Sequence, residues 1–162
     1  MLPTDSDIDV TDARSAAPKP VHLRWAFIGL VAVGGMVGTA AREALVLVIP
    51  PLGVIPIAIF AINITGALFL GALLESLARR GTDEGGRRTV RLLVGTGFAG
   101  GFTTYSSFAV DAAILLSTGF VGAGIAYAVG TILAGAAATF VGIATASALH
   151  RRSSRSSEGR SR

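Results

Sequence analysis

Four long runs of uncharged, mostly apolar residues dominate this 162-residue chain, and they restrict the folds open to it. The runs are residues 26–41, 53–74, 92–110 and 112–149. A helix needs about 20 predominantly apolar residues to cross the hydrocarbon core of a bilayer. The last run is too long for one helix, and its residues Ser-Thr-Gly at 117–119 are a turn signal. The sequence therefore predicts an all-α membrane protein.

The predicted transmembrane helices cover roughly residues 25–48, 54–75, 91–116 and 120–149. Composition supports a membrane protein, because 51% of the residues are hydrophobic and only 15% are charged, which exceeds the apolar share of an ordinary soluble domain. The two ends differ from this middle part. Residues 1–24 are rich in Asp, Pro and Ala, and residues 150–162 consist mainly of Arg and Ser. Neither end can bury apolar surface, so both are predicted to be disordered.

Residue types exclude several functions. The chain has no cysteine, which rules out disulfides, thiol catalysis and Cys-ligated metals. Its two histidines, His22 and His150, lie at opposite ends of the chain. No pairing of a nucleophile with a base is evident, so we do not expect an enzyme.

Positive charge is distributed unevenly about the predicted helices. Of the 14 Lys and Arg residues, 13 lie in the N-terminal arm, the loop between helices 2 and 3, and the C-terminal tail, whereas Arg42 alone lies on the other side. This bias predicts a multi-pass protein of the cell membrane with both termini in the cytoplasm. The high pI of about 10.6 could indicate nucleic acid. Because the arginines are grouped beside spans, contact with membrane lipid is the preferred interpretation, and no nucleic-acid partner is expected.

The stretch GGFTTYSSF, residues 100–108, predicts a break in helix 3 at membrane depth. Its glycines weaken a helix, and its five consecutive hydroxyl-bearing residues compete for backbone hydrogen bonds. Backbone N–H and carbonyl groups without hydrogen-bond partners are tolerated inside a bilayer only where they line a cavity or bind a ligand. Freed carbonyl oxygens would be hard ligands for a small cation.

Several polar side chains are predicted to lie inside or beside the spans. Asn63 lies near the middle of helix 2, where its amide either donates to a dehydrated anion or bonds to a neighbouring helix. Arg42, close behind helix 1, is either an interfacial anchor or a vestibule charge that attracts anions. Gly34 and Gly38 form a GxxxG spacing, which favours close helix packing.

Helices 3 and 4 add further polar and aromatic candidates. Tyr105 and Phe108 are three residues apart and share a helix face, which Asp111 continues. The positive edge of an aromatic ring can face an anion without carrying a formal charge. Tyr127 and Thr131 are four apart and supply two hydroxyls for either a polar path or interhelical hydrogen bonds.

With these residues in view, the chain resembles the Fluc, or CrcB, family of fluoride channels. The resemblance covers about residues 25–149 and rests on the stretches GGMVGTAAR, NITGALFLG and above all GGFTTYSSFAVD. It implies an antiparallel dimer of four-helix subunits with two fluoride pores and one central, structural sodium ion. The implied function is passive export of fluoride, which relieves fluoride toxicity.

The resemblance also implies roles for individual residues. The sodium ion would be held by the backbone carbonyls of Gly100 and Thr103. The residues implied to line the fluoride pore are Asn63, Tyr105, Ser106, Phe108, Asp111, Tyr127 and Thr131.

At three positions the chain departs from the family pattern. Tyr105 stands where the family has a phenylalanine, Asp111 where it has a glutamate, and Gly135 where a further serine is expected.

Two alternatives to a passive channel remain open at this point. A small coupled antiporter would need a carboxylate in the middle of helix 1, whereas Glu43 lies at the end of that helix. A non-conducting subunit of a heterodimeric channel would tolerate the departures at Tyr105 and Gly135. The charge bias itself favours a heterodimer, because an antiparallel homodimer needs a chain that inserts in both orientations.

Overall fold

The computed structural model describes residues 24–158, and side chains as far as residue 152. Helix α1 covers Trp25–Val48, α2 covers Ile57–Ala78, α4 covers Tyr105–Ser117 and α5 covers Val121–Glu158. Helix α3, residues 85–102, has three continuous parts: Gly85–Val90 is α-helical, Arg91–Ala99 is π-helical and Gly100–Phe102 is α-helical again. Two residues, Thr103 and Thr104, separate α3 from α4.

The bounds agree with the sequence prediction in most places. Helix α1 has the predicted limits, and the predicted break in the third helix is confirmed at Thr103. The turn after α4 is also confirmed, because Gly119 adopts a φ of 90°, which favours glycine. Helix α2 begins at Ile57 rather than residue 54, because a tight turn pairs the backbones of Leu52 and Ile55 just before it.

The last helix is longer than predicted. The sequence predicts an end at residue 149 and disorder over residues 150–162, but α5 continues to Glu158. Arginine is a good helix former, so the helix can extend into this basic segment without an apolar face to bury. Residues 159–162 of the predicted tail, and residues 1–23 of the predicted N-terminal arm, lie outside the described residues.

Helices α1 and α3 approach at backbone distance. A Cβ atom on Gly34 would overlap the carbonyl oxygen of Leu93, and one on Gly38 would overlap that of Phe98. The GxxxG spacing of helix 1 is therefore confirmed as a packing motif. Gly101 repeats the pattern from the α3 side, since its Cβ would meet the carbonyl of Gly35.

Helices α2 and α5 pack through a second pair of glycines. A Cβ on Gly71 would lie 2.5 Å from the carbonyl oxygen of Thr139, and one on Gly142 would overlap the carbonyl of Leu68. Small residues at both contacts let the two helices lie close along most of their length. The core of buried hydrophobic side chains lies nearer the helix break, where Ile62 of α2 is almost completely buried and Phe108 and Tyr127 belong to the same cluster.

The outer surface of this bundle is strongly apolar. Within residues 24–158, three helices are long and apolar enough to cross a bilayer: Trp25–Val48, Ile57–Ala78 and Val121–Arg152. Large hydrophobic side chains such as Leu47 and Phe140 are exposed on these helices, as expected of surfaces that face lipid. The chain is therefore an all-α, multi-pass membrane protein. A fourth span through α3 and α4, and assembly as a dimer, remain predictions.

Candidate functional site

The helix break is held open by one side chain from another helix. The Asn63 amide of α2 donates from Nδ2 to the Thr104 carbonyl oxygen at 3.0 Å, and its Oδ1 accepts from the Thr104 N–H at 2.9 Å. Both residues of the break are extended, with ψ of 156° at Thr103 and 123° at Thr104. Asn63 thus satisfies both backbone groups of Thr104, which a continuous helix would have satisfied itself.

Thr104 then starts the next helix. Its hydroxyl oxygen accepts from the Ser107 N–H at 3.2 Å and so caps the N-terminus of α4. The Ser106 and Ser107 hydroxyls both lie 3.2 Å from the Thr104 hydroxyl. Three of the five consecutive hydroxyls therefore form one cluster at this helix start.

The break removes the usual helical donors from the carbonyl groups at the end of α3, among them those of Gly100 and Thr103. In a continuous helix the Thr104 N–H would donate to the Gly100 carbonyl and the Ser107 N–H to the Thr103 carbonyl. Here these donors go to Asn63 and to the Thr104 hydroxyl instead. Gly100 is exposed and Thr103 is half-buried on the surface of the chain. Carbonyl oxygens of this kind are the donor type that a hard cation prefers.

A cavity of about 670 Å³ extends from the break along the groove between α2 and α5. At the break end its polar and aromatic lining comes from α2, α4, α5 and the break itself. These residues are Asn63, Thr103, Thr104, Tyr105, Phe108 and Thr131. Farther along, the wall is mostly apolar, with Gly71 and Leu74, and it ends near Glu75 and Ala78. The structure thus brings four of the predicted pore residues, Asn63, Tyr105, Phe108 and Thr131, to one cavity.

A row of aromatic rings begins in this cavity and ends at a carboxylate. The rings of Tyr105 and Phe108 have centroids 5.9 Å apart, and those of Phe108 and Tyr127 are 5.6 Å apart. The Tyr127 hydroxyl donates to Asp111 Oδ2 at 3.4 Å. Along this row burial rises steeply, because Tyr105 is 81% exposed, Phe108 is 8% exposed and Tyr127 is 4% exposed.

The α5 hydroxyls already have partners within the chain. Thr131 donates to the Tyr127 carbonyl at 2.6 Å, one turn earlier in the same helix. Its oxygen lone pairs, not its proton, therefore face the cavity that it lines. At Gly135, one turn on, a Cβ would meet only Ile64 at 3.9 Å, so the helix has room there for a larger side chain.

Arg42 lies apart from this cavity, at the end of α1. Its guanidinium is 3.4 Å from the Glu43 carboxylate, and its side chain is only 17% exposed. Within the part of the chain that the structure describes, its buried Nε has no hydrogen-bond partner. The geometry fits both predicted interpretations of Arg42, the interfacial anchor and the vestibule charge.

Sequence reasoning missed two contributors to the site. Thr104 was not singled out, although a threonine before a helical run is a capping signal that could have indicated it. The second is a polar clamp, the hydrogen-bonded group of Glu75, Arg79 and Ser147, which lies at the far end of the groove that Glu75 lines. Arg79 Nη2 donates to the Ser147 hydroxyl at 2.9 Å, and that hydroxyl donates to Glu75 Oε1 at 2.8 Å. The i,i+4 spacing of Glu75 and Arg79 was the available signal, and the two residues do form an ion pair.

Comparison with known proteins gives consistent matches over this region. Residues 29–143 match the family model described as "CrcB-like protein, Camphor Resistance (CrcB)". A relative named fluoride-specific ion channel FluC 2, from Leifsonia xyli, is 55% identical over 80% of this chain and 90% of its own length. FluC 1 from Cutibacterium acnes is 43% identical over 75% and 85%, respectively. FluC 3 from Streptomyces avermitilis is 38% identical over 76% of this chain and 59% of the relative.

Proposed function

Because this chain belongs to the CrcB family, we propose that it forms a fluoride-selective ion channel that passively carries fluoride out of the cytoplasm. Its similarity to relatives named as fluoride channels covers most of both chains. Its groove opens on an amide donor and aromatic rings rather than on a fixed positive charge. Neither alternative, the coupled antiporter or the non-conducting subunit, has a specific observation in its favour.

One observation carries the proposal: Asn63 lines the cavity with one amide N–H beyond the one given to Thr104. The NH₂ group has two donors, and the Thr104 carbonyl takes one of them. The other remains for an ion in the cavity, beside the Phe108 ring that lines the same space. Fluoride is small and tightly hydrated, so a selective pore must replace its water with such donors and ring edges.

The remaining pore residues extend this path. Tyr105 and Ser106 lie at the exposed start of α4, Asp111 is half-buried farther along α4, and Tyr127 and Thr131 are buried on α5. The Tyr127 and Thr131 hydroxyls must rotate away from their present acceptors before they can donate to an anion. Arg42, in a vestibule, would raise the local anion concentration without binding the ion in the pore itself.

We propose that Gly100 and Thr103 hold a sodium ion through their carbonyl oxygens. The support is that these two carbonyls lack their usual helical donors. The Thr104 N–H donates to Asn63 instead of Gly100, and the Ser107 N–H donates to the Thr104 hydroxyl instead of Thr103. The ion would contribute positive charge that stabilises the break, and side chains would not be its ligands. Because its role is structural, fluoride flux should not follow a sodium gradient.

We further propose that α3 and α4 together form a fourth span, with both termini in the cytoplasm and an antiparallel partner in the membrane. Thirteen of 14 basic residues on one side support a single orientation. A partner with the opposite bias, a second member of the family, would complete the complex. Numbered names such as FluC 1 and FluC 3 fit organisms with several family members.

The test is fluoride efflux from liposomes that contain the purified chain, alone and together with a family member from the same genome. We expect Asn63→Ala and Phe108→Ala to abolish efflux of the conducting assembly while assembly itself persists. Phe140→Ala is the matched control, because Phe140 is exposed on the apolar surface of α5 and should leave efflux unchanged.

Unchanged efflux in both pore variants would remove the pore assignment. Efflux that scales with an imposed sodium gradient would favour a coupled transporter over a passive channel.

A further inference from the structure

A second cavity lies on the side of α2 that faces α3. It has a volume of about 370 Å³ and is separate from the groove at the helix break. Its wall is formed by apolar side chains from α2 and α3, including Phe69, Leu73, Leu77 and Val90. Two arginines, Arg80 and Arg87, also line it.

The apolar and cationic parts of this cavity are separated along the helix axis. Phe69 and Arg80 are 11 residues apart in sequence, or about 16 Å along a helix at 1.5 Å per residue. Helix α2 ends at Ala78, so Arg80 lies just past the end of a membrane-length helix. The cavity therefore has an apolar length within the hydrocarbon region and a cationic end at the membrane surface.

Two neighbouring arginines, Arg88 and Arg91, form ion pairs with Asp83, whereas Arg80 and Arg87 form none within the described residues. The Asp83 carboxylate lies 2.6 Å from Arg91 Nη2 and 3.8 Å from Arg88 Nε. The hydrogen bond from Arg91 lowers the pKa of Asp83, so this carboxyl stays ionised and is committed to that pair. Among the described residues, no carboxylate pairs with Arg80 or Arg87. Arg87 donates to the Thr82 carbonyl and hydroxyl, at 2.7 and 3.4 Å, and its charge adds a smaller contribution to the lowered pKa of Asp83.

We propose that this cavity is a binding site for an anionic phospholipid. Arg80 and Arg87 bind the headgroup phosphate, and an acyl chain lies along Phe69, Leu73 and Val90. A guanidinium is well suited to phosphate, because it presents several N–H donors in a fixed plane. A basic recess between helices at the membrane surface is the usual form of an anionic lipid site. The apolar length of the cavity favours a lipid over a free phosphate ion, which would need only the cationic end.

The experiment measures lipid bound to the full purified chain by native mass spectrometry. Phosphatidylglycerol and phosphatidylcholine with identical acyl chains are supplied in equal amounts, and the preference for phosphatidylglycerol is recorded. We expect Arg80→Gln to reduce that preference about fivefold, since one basic residue near a membrane surface is worth roughly 1 kcal/mol. The Arg80 side chain makes no hydrogen bond within the described residues, so this variant should fold normally.

Arg88→Gln is the matched control, because it removes the same charge at the start of α3, near Arg80 in the sequence, but lies outside the cavity. It should leave the lipid preference within twofold of the unmodified chain. An equal loss in Arg80→Gln and Arg88→Gln would overturn the proposal and indicate diffuse attraction by net charge. Competition by glycerol phosphate alone at the same concentration as the lipid would also overturn it, since the acyl chain would then contribute nothing.

Discussion

The side-chain amide of Asn63 has two roles: it pairs with the backbone of Thr104, and it lines the cavity. Oδ1 and one amide hydrogen bind the backbone of Thr104 and hold the helix open, while the second amide hydrogen is left for the cavity. A substitution here removes the donor to the cavity and also leaves the Thr104 N–H and carbonyl unpaired in a partly buried place, so it alters the local geometry of the break as well as the pore chemistry. Phe108, which makes no polar contact, is therefore the cleaner probe of the pore.

At Tyr105 we predict that the ring matters and the hydroxyl does not. The side chain is 81% exposed, its ring lies 5.9 Å from that of Phe108, and its hydroxyl has no hydrogen bond among the described residues. Tyr105→Phe should keep fluoride efflux within twofold of the unmodified chain, whereas Tyr105→Ala should lose most of it. Liposome efflux of the conducting assembly measures both. A rise of tenfold or more in Tyr105→Phe would show instead that the hydroxyl obstructs the path.

At the scale of elements, the contact between α1 and α3 depends on the absence of a side chain. Gly38→Ala would force a methyl group into the Phe98 carbonyl, and such overpacking costs about 1–3 kcal/mol of unfolding free energy. Gly29→Ala is the control on the same helix, because nothing lies within 4 Å of its Cβ position. We expect a lower midpoint of thermal unfolding in detergent for Gly38→Ala only. Equal midpoints for the two variants would mean that the helices do not meet at Gly38.

The polar clamp of Glu75, Arg79 and Ser147 leads to a second prediction about the free energy of unfolding. Ser147 is 6% exposed and links Glu75 of α2, and Arg79 just past the end of that helix, to α5. Ser147→Ala removes one hydrogen bond from each charged partner and leaves only the bond between Arg79 and Glu75, which we expect to cost about 1–3 kcal/mol of unfolding free energy.

Thr145→Ala is the control for this clamp, since the Thr145 hydroxyl bonds only to carbonyls of its own helix. The melting temperature in detergent should fall for Ser147→Ala and stay nearly constant for Thr145→Ala. A fall of the same size in both would point to a general effect on α5 rather than to the clamp.

Most of the helices, and the break in the third one, could be predicted from the sequence. Apolar runs defined the long helices, and the glycines and hydroxyls of residues 100–108 predicted the break. The partner that stabilises the break could not be predicted, because the pairing of Asn63 with Thr104 joins residues 41 positions apart. The helical continuation to Glu158 was missed because composition alone does not exclude helix in a basic segment.

For the whole molecule, we predict one dominant orientation in the membrane. Arg79, Arg80, Arg91, Arg151 and Arg152 lie close to the ends of apolar helices, where positive charge controls insertion. A C-terminal reporter that is active only in the cytoplasm should show at least tenfold more activity than one that is active only outside. Comparable activity of both reporters, or strong fluoride flux from this chain purified alone, would contradict the heterodimer proposal. Replacing the arginines of the loop between α2 and α3 with glutamine should weaken the bias, which provides the control.

The pairing of Asn63 with Thr104 also bears on how the chain is made. A ribosome delivers residues in order, so Asn63 leaves the exit tunnel 41 residues ahead of Thr104. Helix α2 can therefore already lie in the bilayer when the interrupted segment arrives with its unmatched peptide groups. The Asn63 side chain is therefore present in the membrane before Thr104 is inserted. The N–H and carbonyl of Thr104 can then be paired on insertion, with no later helix required.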